Sequence, residues 1–357
     1  MHKKLFIPGP VDVREDVLQK FATPQISHRG KEATELQKSI SEKMQQLMFT
    51  QNTIVLSTSS GSGMMEMAVK SCTKKRAAVF SVGAFGDRWY KMCTANGIPA
   101  DKIKSELGQP TTPEMVEEAL ATGKYDVVTV THNETSSGIM NPVGEIAKVV
   151  AKYPDVIFAV DTVSSLGGAK VPVDEWGIDV CVTSTQKCLG LPAGLSIASV
   201  SEKAYQRALT VENRGLYFDM VELVDKVRKD YQYPSTPALP HMFGLDYQLT
   251  QILEVEGLEN RFNRHLDMAK VVRAWANKYF KMLAEDQYAS NTLTTIVNTR
   301  EISVADLNKE LAKRGWMISN GYGDLKEKTF RIAHMADTQM ETVLELLKEI
   351  EDILGLA

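Results

Sequence analysis

Lys187 and Asp161 pose the chemical question in this chain. Lys187 closes the stretch Ser184-Thr185-Gln186-Lys187, after the apolar run Val180-Cys181-Val182 and before Gly190-Leu191-Pro192-Ala193-Gly194. A lysine at a strand end, among small hydroxyl residues and ahead of glycines, is placed to point into a cleft at the carboxyl edge of a sheet. Open α/β folds bind their ligands there. Partial burial favours the unprotonated amine, which is a nucleophile or a base. On the stretch alone, a surface lysine at a strand end is an equal reading. Asp161 ends Val156-Ile157-Phe158-Ala159-Val160, 26 positions earlier (187 − 161). Burying a carboxylate there is costly unless it meets a cation. A local reading also exists, as a turn or N-cap aspartate before Thr162-Val163-Ser164.

Other stretches supply parts that such a lysine would need. Ser59-Ser60-Gly61-Ser62-Gly63 lies between a short apolar run and a helical pattern. Its glycines let backbone N–H groups approach an anion at a helix N-terminus. No Gly-Lys-Ser/Thr follows, and the third glycine of a dinucleotide fingerprint is replaced by Glu66, so neither a P-loop nor a nicotinamide site is expected. A serine-rich helix cap is the plain alternative. Gly83-Ala84-Phe85-Gly86-Asp87-Arg88 sets a phenylalanine between glycines, where its ring could lie on an aromatic cofactor or simply join the core. Thr131-His132-Asn133-Glu134-Thr135-Ser136-Ser137-Gly138 brings polar groups to the same sheet edge. A lysine able to form an imine with an aldehyde, and an aspartate one crossover earlier able to keep a pyridine nitrogen protonated, fit a pyridoxal phosphate site.

The elements that must position these residues follow from periodicity. A helix is expected over 33–49, with Leu36, Ile40, Met44, Leu47 and Met48 on one stripe. Strands are expected at 54–56, 77–82, 126–131, 156–161, 180–183 and 195–200. Helices are expected after Gly63 and over 113–121 and 144–152. This alternation, with nearly continuous apolar strands, predicts an α/β fold with a mostly parallel sheet covered on both faces. The first dozen residues, with Pro8-Gly9-Pro10, read as extended or turning. From about residue 240 the pattern changes to long helices at 241–255 and 258–283, then strands at 292–298, 316–319 and 329–333. Helices at 304–314 and 338–354 accompany them, the first capped by Ser303 with Asp306, the second by Asp337. The expected division is an N-terminal segment 1–15, a large domain 16–255 and a small α+β domain 256–357, since 357 residues exceed one core.

Composition narrows the partners. A net charge of −4 argues against nucleic acid or an anionic membrane as the main partner. No apolar run approaches the ~20 residues of a membrane span, and Pro8 interrupts the amino terminus before a signal-peptide core develops. Cys72, Cys93, Cys181 and Cys188 show no metal-type spacing and read as reduced thiols of a cytoplasmic protein. No metal site is expected. Cys188, beside the lysine, could be reactive but reads better as a small buried filler.

Taken together, the ordered set Ser-Gly-Ser-Gly, Gly-x-Phe-Gly, Thr-His-x-Glu-x-Ser-x-Gly, Val-Asp-x-Val-Ser-Ser, Ser-x-Gln-Lys and Phe-Arg-Ile resembles the class V aminotransferases of pyridoxal phosphate fold type I. Within them it is most similar to the serine–pyruvate/alanine–glyoxylate aminotransferase group. The resemblance runs from Pro8 to Ile332 and implies a seven-stranded-type sheet in the large domain. It implies Lys187 as the imine-forming lysine, Asp161 on the pyridine nitrogen and Val163 against the ring. Ser62, Gly63, Met64 through its backbone N–H, and Gln186 would hold the phosphate. Phe85 takes the stacking position, often tryptophan in the family, and Thr135 lies near the ring hydroxyl. Tyr233 and Thr236 fall in a loop that reaches a partner's phosphate across a homodimer. Arg331 would clamp the substrate α-carboxylate, with Gly9 also at the substrate.

The implied reaction moves an amino group from a small donor, alanine or serine, to glyoxylate or pyruvate by ping-pong kinetics, with Lys187 moving the α-proton. Aspartate and aminoethylphosphonate are alternative donors; Arg29 is a candidate for a distal carboxylate. A cysteine desulfurase shares the fold and the lysine, but it needs a mobile-loop cysteine and a ring-stacking histidine. A non-catalytic scaffold would normally lose Lys187 or Asp161, and both are present.

Overall fold

The computed structural model describes residues 2–356. Its strands are β1 (Lys4–Phe6), β2 (Thr53–Ser57), β3 (Ala77–Ser81), β4 (Ala100–Lys104), β5 (Val127–Thr131), β6 (Asn133–Glu134), β7 (Ile139–Met140), β8 (Ile157–Asp161), β9 (Val180–Ser184), β10 (Ser196–Val200), β11 (Lys281–Met282), β12 (Leu293–Val297), β13 (Trp316–Asn320) and β14 (Thr329–Ala333). Seven of them form one sheet in the order β2-β10-β9-β8-β5-β3-β4. Only β10 runs against the others. The sheet is therefore mostly parallel, as the strand–helix alternation predicts, and seven-stranded, as the family resemblance implies.

Its strands are apolar throughout because both faces are covered. Successive residues go to opposite sides. Phe80, Val128 and Phe158 pack with Ile40, Met44 and Leu47 of the helix Lys31–Met48. Val79, Val127 and Ile157 pack with Met64, Met67 and Trp89 on the other face. Burial of each large side chain contributes about 1.5–3 kcal/mol, so the sheet is a rigid platform. β2, β3, β5, β8 and β9 point the same way, and their carboxyl ends deliver the serine–glycine loop, Phe85, Glu134, Asp161 and Lys187 to one edge.

A second sheet, β1-β13-β14-β12-β11, carries Ile318, Phe330 and Ile332 against Leu307, Leu311, Leu346 and Ile350. The amino-terminal segment is part of it: Lys4, Leu5 and Phe6 pair in parallel with Trp316, Met317 and Ile318. The chain then returns to the large sheet, where Val11 N–H donates to the Gln186 carbonyl at 3.3 Å.

Several predicted boundaries move. The helix expected over 258–283 ends at Tyr279, and Lys281–Met282 pairs with Ile296–Val297. The helix expected over 241–255 is α-helical over Leu239–Thr250 and continues with π geometry over Gln251–Glu256, until Gly257 turns the chain at φ 80°. Asp337 does not cap the last helix, which starts at Met340 without a side-chain cap. Its carboxylate instead meets Arg261 at 3.0 Å and Gln248 at 2.9 Å. Ser303 does cap its helix, accepting from Asp306 N–H at 3.1 Å. Helices at Glu15–Lys20, Ala84–Ala95, Glu202–Leu209 and Met220–Asp230, and the edge strand Ala100–Lys104, lie outside the predicted elements.

Candidate active site

The serine–glycine loop builds the first wall. Gly61–Cys72 is a 12-residue helix whose N-cap, Ser60, makes no side-chain cap hydrogen bond. Gly63 N–H donates to the Ser60 carbonyl at 2.8 Å, and no side chain caps the rest of the first turn, which can take another acceptor. Gly61 is needed because a Cβ there would lie 2.6 Å from Val163 Cγ2. Val163 thus sits on the mouth of this helix. Met64, by contrast, is fully buried in the core and offers only backbone.

A second helix N-terminus is already filled. Ala84–Ala95 begins at Gly83, also without a side-chain cap of its own. Glu134 Oε2 accepts from Phe85 N–H at 2.9 Å and Gly86 N–H at 3.0 Å. Its Oε1 accepts from Ser136 N–H at 3.0 Å and Ser136 Oγ at 2.6 Å, and Ser136 Oγ also accepts from Ala84 N–H at 2.9 Å. Glu134 has no exposed surface, and burial foremost raises its carboxyl above the usual range. It caps the helix that carries Phe85 from 49 residues away. The motif containing Glu134 was visible in the sequence, but its role as a cap is a tertiary fact.

Asp161 is 4% exposed at the end of β8. One carboxylate oxygen accepts from Val163 N–H at 2.8 Å, and no cation lies within 4 Å among the described residues. Burial, with the Glu134 charge, pushes its carboxyl up to about 7. Lys187 follows β9, and its Nζ donates to the Pro8 carbonyl. Burial, reinforced by the charges of Arg331 and Arg88, brings the amine down to about 8. Gly9, at φ 101°, lies so close that a Cβ would stand 2.6–2.9 Å from the last carbons and nitrogen of Lys187. Gly9 therefore shapes the lysine's place. Gln186 is half-buried, and its Oε1 lacks a partner.

Arg331, in the middle of β14, is 7% exposed. Its Nε and Nη2 donate to the Asn320 carbonyl at 3.1 and 3.0 Å, and Nη1 donates to the Thr135 carbonyl at 3.0 Å. No carboxylate lies within 4 Å among the described residues, and burial lowers the guanidinium to about 10. It remains a cation at neutral pH, held by carbonyls and short of an anion. Tyr322 places its ring 5.8 Å from Phe85 and 5.7 Å from the Arg331 guanidinium.

The remaining predicted residues are placed as follows. Thr135 is buried, and its carbonyl belongs to Arg331. Thr236 is exposed on the Pro234–Pro237 loop. Tyr233 is buried within this chain, and its hydroxyl donates to Met242 Sδ at 3.3 Å. Arg29 is also spent within the chain, on the Tyr233 and Pro234 carbonyls. Cys188 is buried with its thiol donating to the Ser164 carbonyl at 3.2 Å, and burial pushes it up to about 11. It is a filler, not a nucleophile.

One further group is invisible in the sequence. Arg261, 1% exposed, donates to the Gly167 carbonyl at 2.8 Å and to the Cys188 carbonyl at 2.7 Å. Its Nη1 meets Glu256 at 2.7 Å and Asp337 at 3.0 Å. The loop after Lys187 is thereby tied to the helices that lead to the second sheet.

A model of the class-V aminotransferases matches residues 15–335. The chain belongs to that family. It is 37% identical to an uncharacterised aminotransferase of Methanocaldococcus jannaschii, over 98% of this chain and 92% of the relative. It is 31% identical to a serine–glyoxylate aminotransferase of Methylorubrum extorquens, over 93% and 86%. The solved alanine–glyoxylate aminotransferase of a Nostoc species superposes with a TM-score of 0.92 at 24% identity, covering 99% of this chain and 96% of that one. This class-V chain is thus a transaminase with the type I aminotransferase fold. Among its described residues no helix is long and apolar enough to cross a membrane.

Proposed function

We propose that this class-V aminotransferase uses pyridoxal phosphate to move an amino group from a small amino acid, alanine or serine, to glyoxylate or pyruvate. The observation that carries this reading is a set of buried charges without ion-pair partners. Asp161 and Arg331 have no ion-pair partner within 4 Å among the described residues, and burial brings the Lys187 amine down to about 8. A protein does not keep such groups for stability. Each suits one part of the cofactor or substrate. Asp161 would hold the pyridine nitrogen, Phe85 would stack on the ring, and Val163 would close its other side. Ser62, Gly63 and the Met64 N–H would hold the phosphate with Gln186, beside the uncapped first turn of Gly61–Cys72. Thr135 would face the ring hydroxyl.

When bound, the cofactor supplies the aldehyde that carries the amino group and a ring that takes up the electron pair left at the α-carbon. The protein does the rest. Arg331 binds the α-carboxylate with the N–H groups that its carbonyl partners leave free. Lys187, whose amine burial brings down to about 8, would take the α-proton at Nζ and hand it on. Gly9 keeps the lysine's path narrow. The same sites serve donor and acceptor in turn, which gives ping-pong kinetics.

Relatives named for serine–glyoxylate, alanine–glyoxylate and L-aspartate–glyoxylate transamination support glyoxylate as acceptor. A small donor is favoured because Arg29 is committed elsewhere. The exposed Thr236 supports a homodimer that shares its phosphate sites, and four buried, unpaired cysteines support a reducing cytoplasm. The test is a panel of amino donors against glyoxylate, pyruvate and 2-oxoglutarate, with products identified. Borohydride reduction of the loaded protein should also fix the cofactor mass on the peptide containing Lys187. Full turnover in Lys187→Ala, or no adduct on that peptide, refutes the assignment.

A further inference from the structure

Arg88 is a cation that the reading above leaves without a task. It lies on the helix Ala84–Ala95, one turn after Phe85, and so shares its face. Its Nη1 donates to Ser62 Oγ at 3.1 Å, and the guanidinium carbon stands 4.8 Å from the Phe85 ring centroid. It is half-buried and has no carboxylate within 4 Å among the described residues. Its neighbour Asp87 is already engaged, with Lys102 at 3.1 Å and Ser81 at 2.9 Å. Both Asp161 and Lys187 feel the Arg88 charge. Ser62, its hydrogen-bond partner, is the second residue of the helix whose N-cap makes no side-chain cap.

These facts fit together through the shape of a guanidinium. Its flat face rests on an aromatic ring while its N–H groups radiate in the plane. With its carbon over the Phe85 ring, the guanidinium keeps N–H groups outside that contact, and one of them donates to Ser62 Oγ at the helix mouth. We propose that Arg88 anchors the cofactor phosphate, pairing with the dianion at the N-terminus of Gly61–Cys72 while Phe85 holds the guanidinium flat. One residue then couples the stacked ring to the phosphate. Ser62 acts as the bridge between them.

The proposal rests on the pyridoxal phosphate reading and can fail separately from it. Full-length protein freed of cofactor is titrated with pyridoxal phosphate and with pyridoxal, which lacks the phosphate, and binding is read by absorbance. Arg88→Met should weaken pyridoxal phosphate about 10- to 150-fold, the range expected for a lost charge-assisted hydrogen bond. Pyridoxal should change less than about 3-fold, and Arg88→Lys should recover part of the loss. At saturating cofactor the donor KM should be unchanged. Thermal unfolding of each cofactor-free variant checks that the fold survives. Equal losses for both ligands, no loss for either, or a rise in KM confined to acidic donors overturns the assignment to phosphate. If the unaltered protein binds neither ligand, the cofactor reading falls, and Arg88's role falls with it. If it binds pyridoxal phosphate and Arg88→Met binds equally well, only Arg88's role falls.

Discussion

Replacing Arg331 with lysine tests whether this arginine reads a carboxylate. A guanidinium carries five N–H donors. Three of them go to the carbonyls of Asn320 and Thr135. Two remain, one on each terminal nitrogen, and two is what a bidentate carboxylate takes. A lysine has three donors. Satisfying the same two buried carbonyls leaves it one. Arg331→Lys therefore keeps the charge and the local structure but loses one charge-assisted hydrogen bond, worth about 1.5–3 kcal/mol. That corresponds to about a 10- to 150-fold fall in kcat/KM for alanine or serine. Arg331→Leu is a poorer probe. It strands both carbonyls at about 1–3 kcal/mol each, and lost stability would be confused with lost binding.

The assay pairs turnover with inhibition by propionate, a carboxylate without an amine. Its inhibition constant should rise in Arg331→Lys by about the same factor as kcat/KM falls. The thermal unfolding midpoint should barely move. An unchanged propionate constant alongside reduced turnover would show that Arg331 acts on something other than the carboxylate, and the reasoning from its two free donors would be wrong.

Two further perturbations follow from the buried charges. Asp161 is an acid whose folded value, about 7, lies above its ordinary 3.8. Between those values the folded state holds a proton that the unfolded state has lost, so its ionisation removes stability as pH rises through that window. Asp161→Asn should therefore make the cofactor-free protein more stable at pH 8, by at most about 4 kcal/mol, with no gain near pH 4, while turnover falls at least about 100-fold; thermal unfolding at both pH values checks the first, and a variant less stable at pH 8 contradicts the sign. Arg261→Met leaves Asp337 and the Gly167 and Cys188 carbonyls without their partner. It should cost about 3–5 kcal/mol in guanidinium chloride unfolding; a loss below about 1 kcal/mol would mean that the network is not the tie described above.

The large sheet was legible because burial on both faces forces apolar strands and leaves their ends polar. Lys187 and Asp161 stood out for that reason. The helix that carries Phe85 was not legible, because nothing local announces a helix at Gly83-Ala84-Phe85-Gly86. Its cap is Glu134, supplied from another strand. Glu202–Leu209 and Met220–Asp230 were missed despite usable signals, since Ser201 and Asp219 cap them through their side chains. Ala100–Lys104 alternates charged residues on a sheet edge and lacks the apolar run of its neighbours. Asp337 has the right residue type for a cap, but Arg261 competes for it from 76 positions away. Phe280 breaks the long helix by its backbone angles, which composition does not reveal. These misses share a cause. The deciding partner is distant in sequence, and a residue's type does not show which of two partners will hold it.

The same asymmetry explains why the site's charges stay unpaired. Lys187 near 8 and Asp161 near 7 could neutralise each other by moving closer, but each is fixed by backbone. Val163 N–H holds the aspartate and the Pro8 carbonyl holds the lysine, while rigid strand ends set the spacing between them. Arg331 is kept from Glu134 in the same way, by carbonyls that orient it without cancelling its charge. A fold selected only for stability would close these gaps. Holding them open costs free energy, which the hydrophobic clusters on both sheets and the Arg261 network offset. The benefit is a cleft whose groups are already oriented when an amino acid arrives, so that little reorganisation is left for the reaction itself.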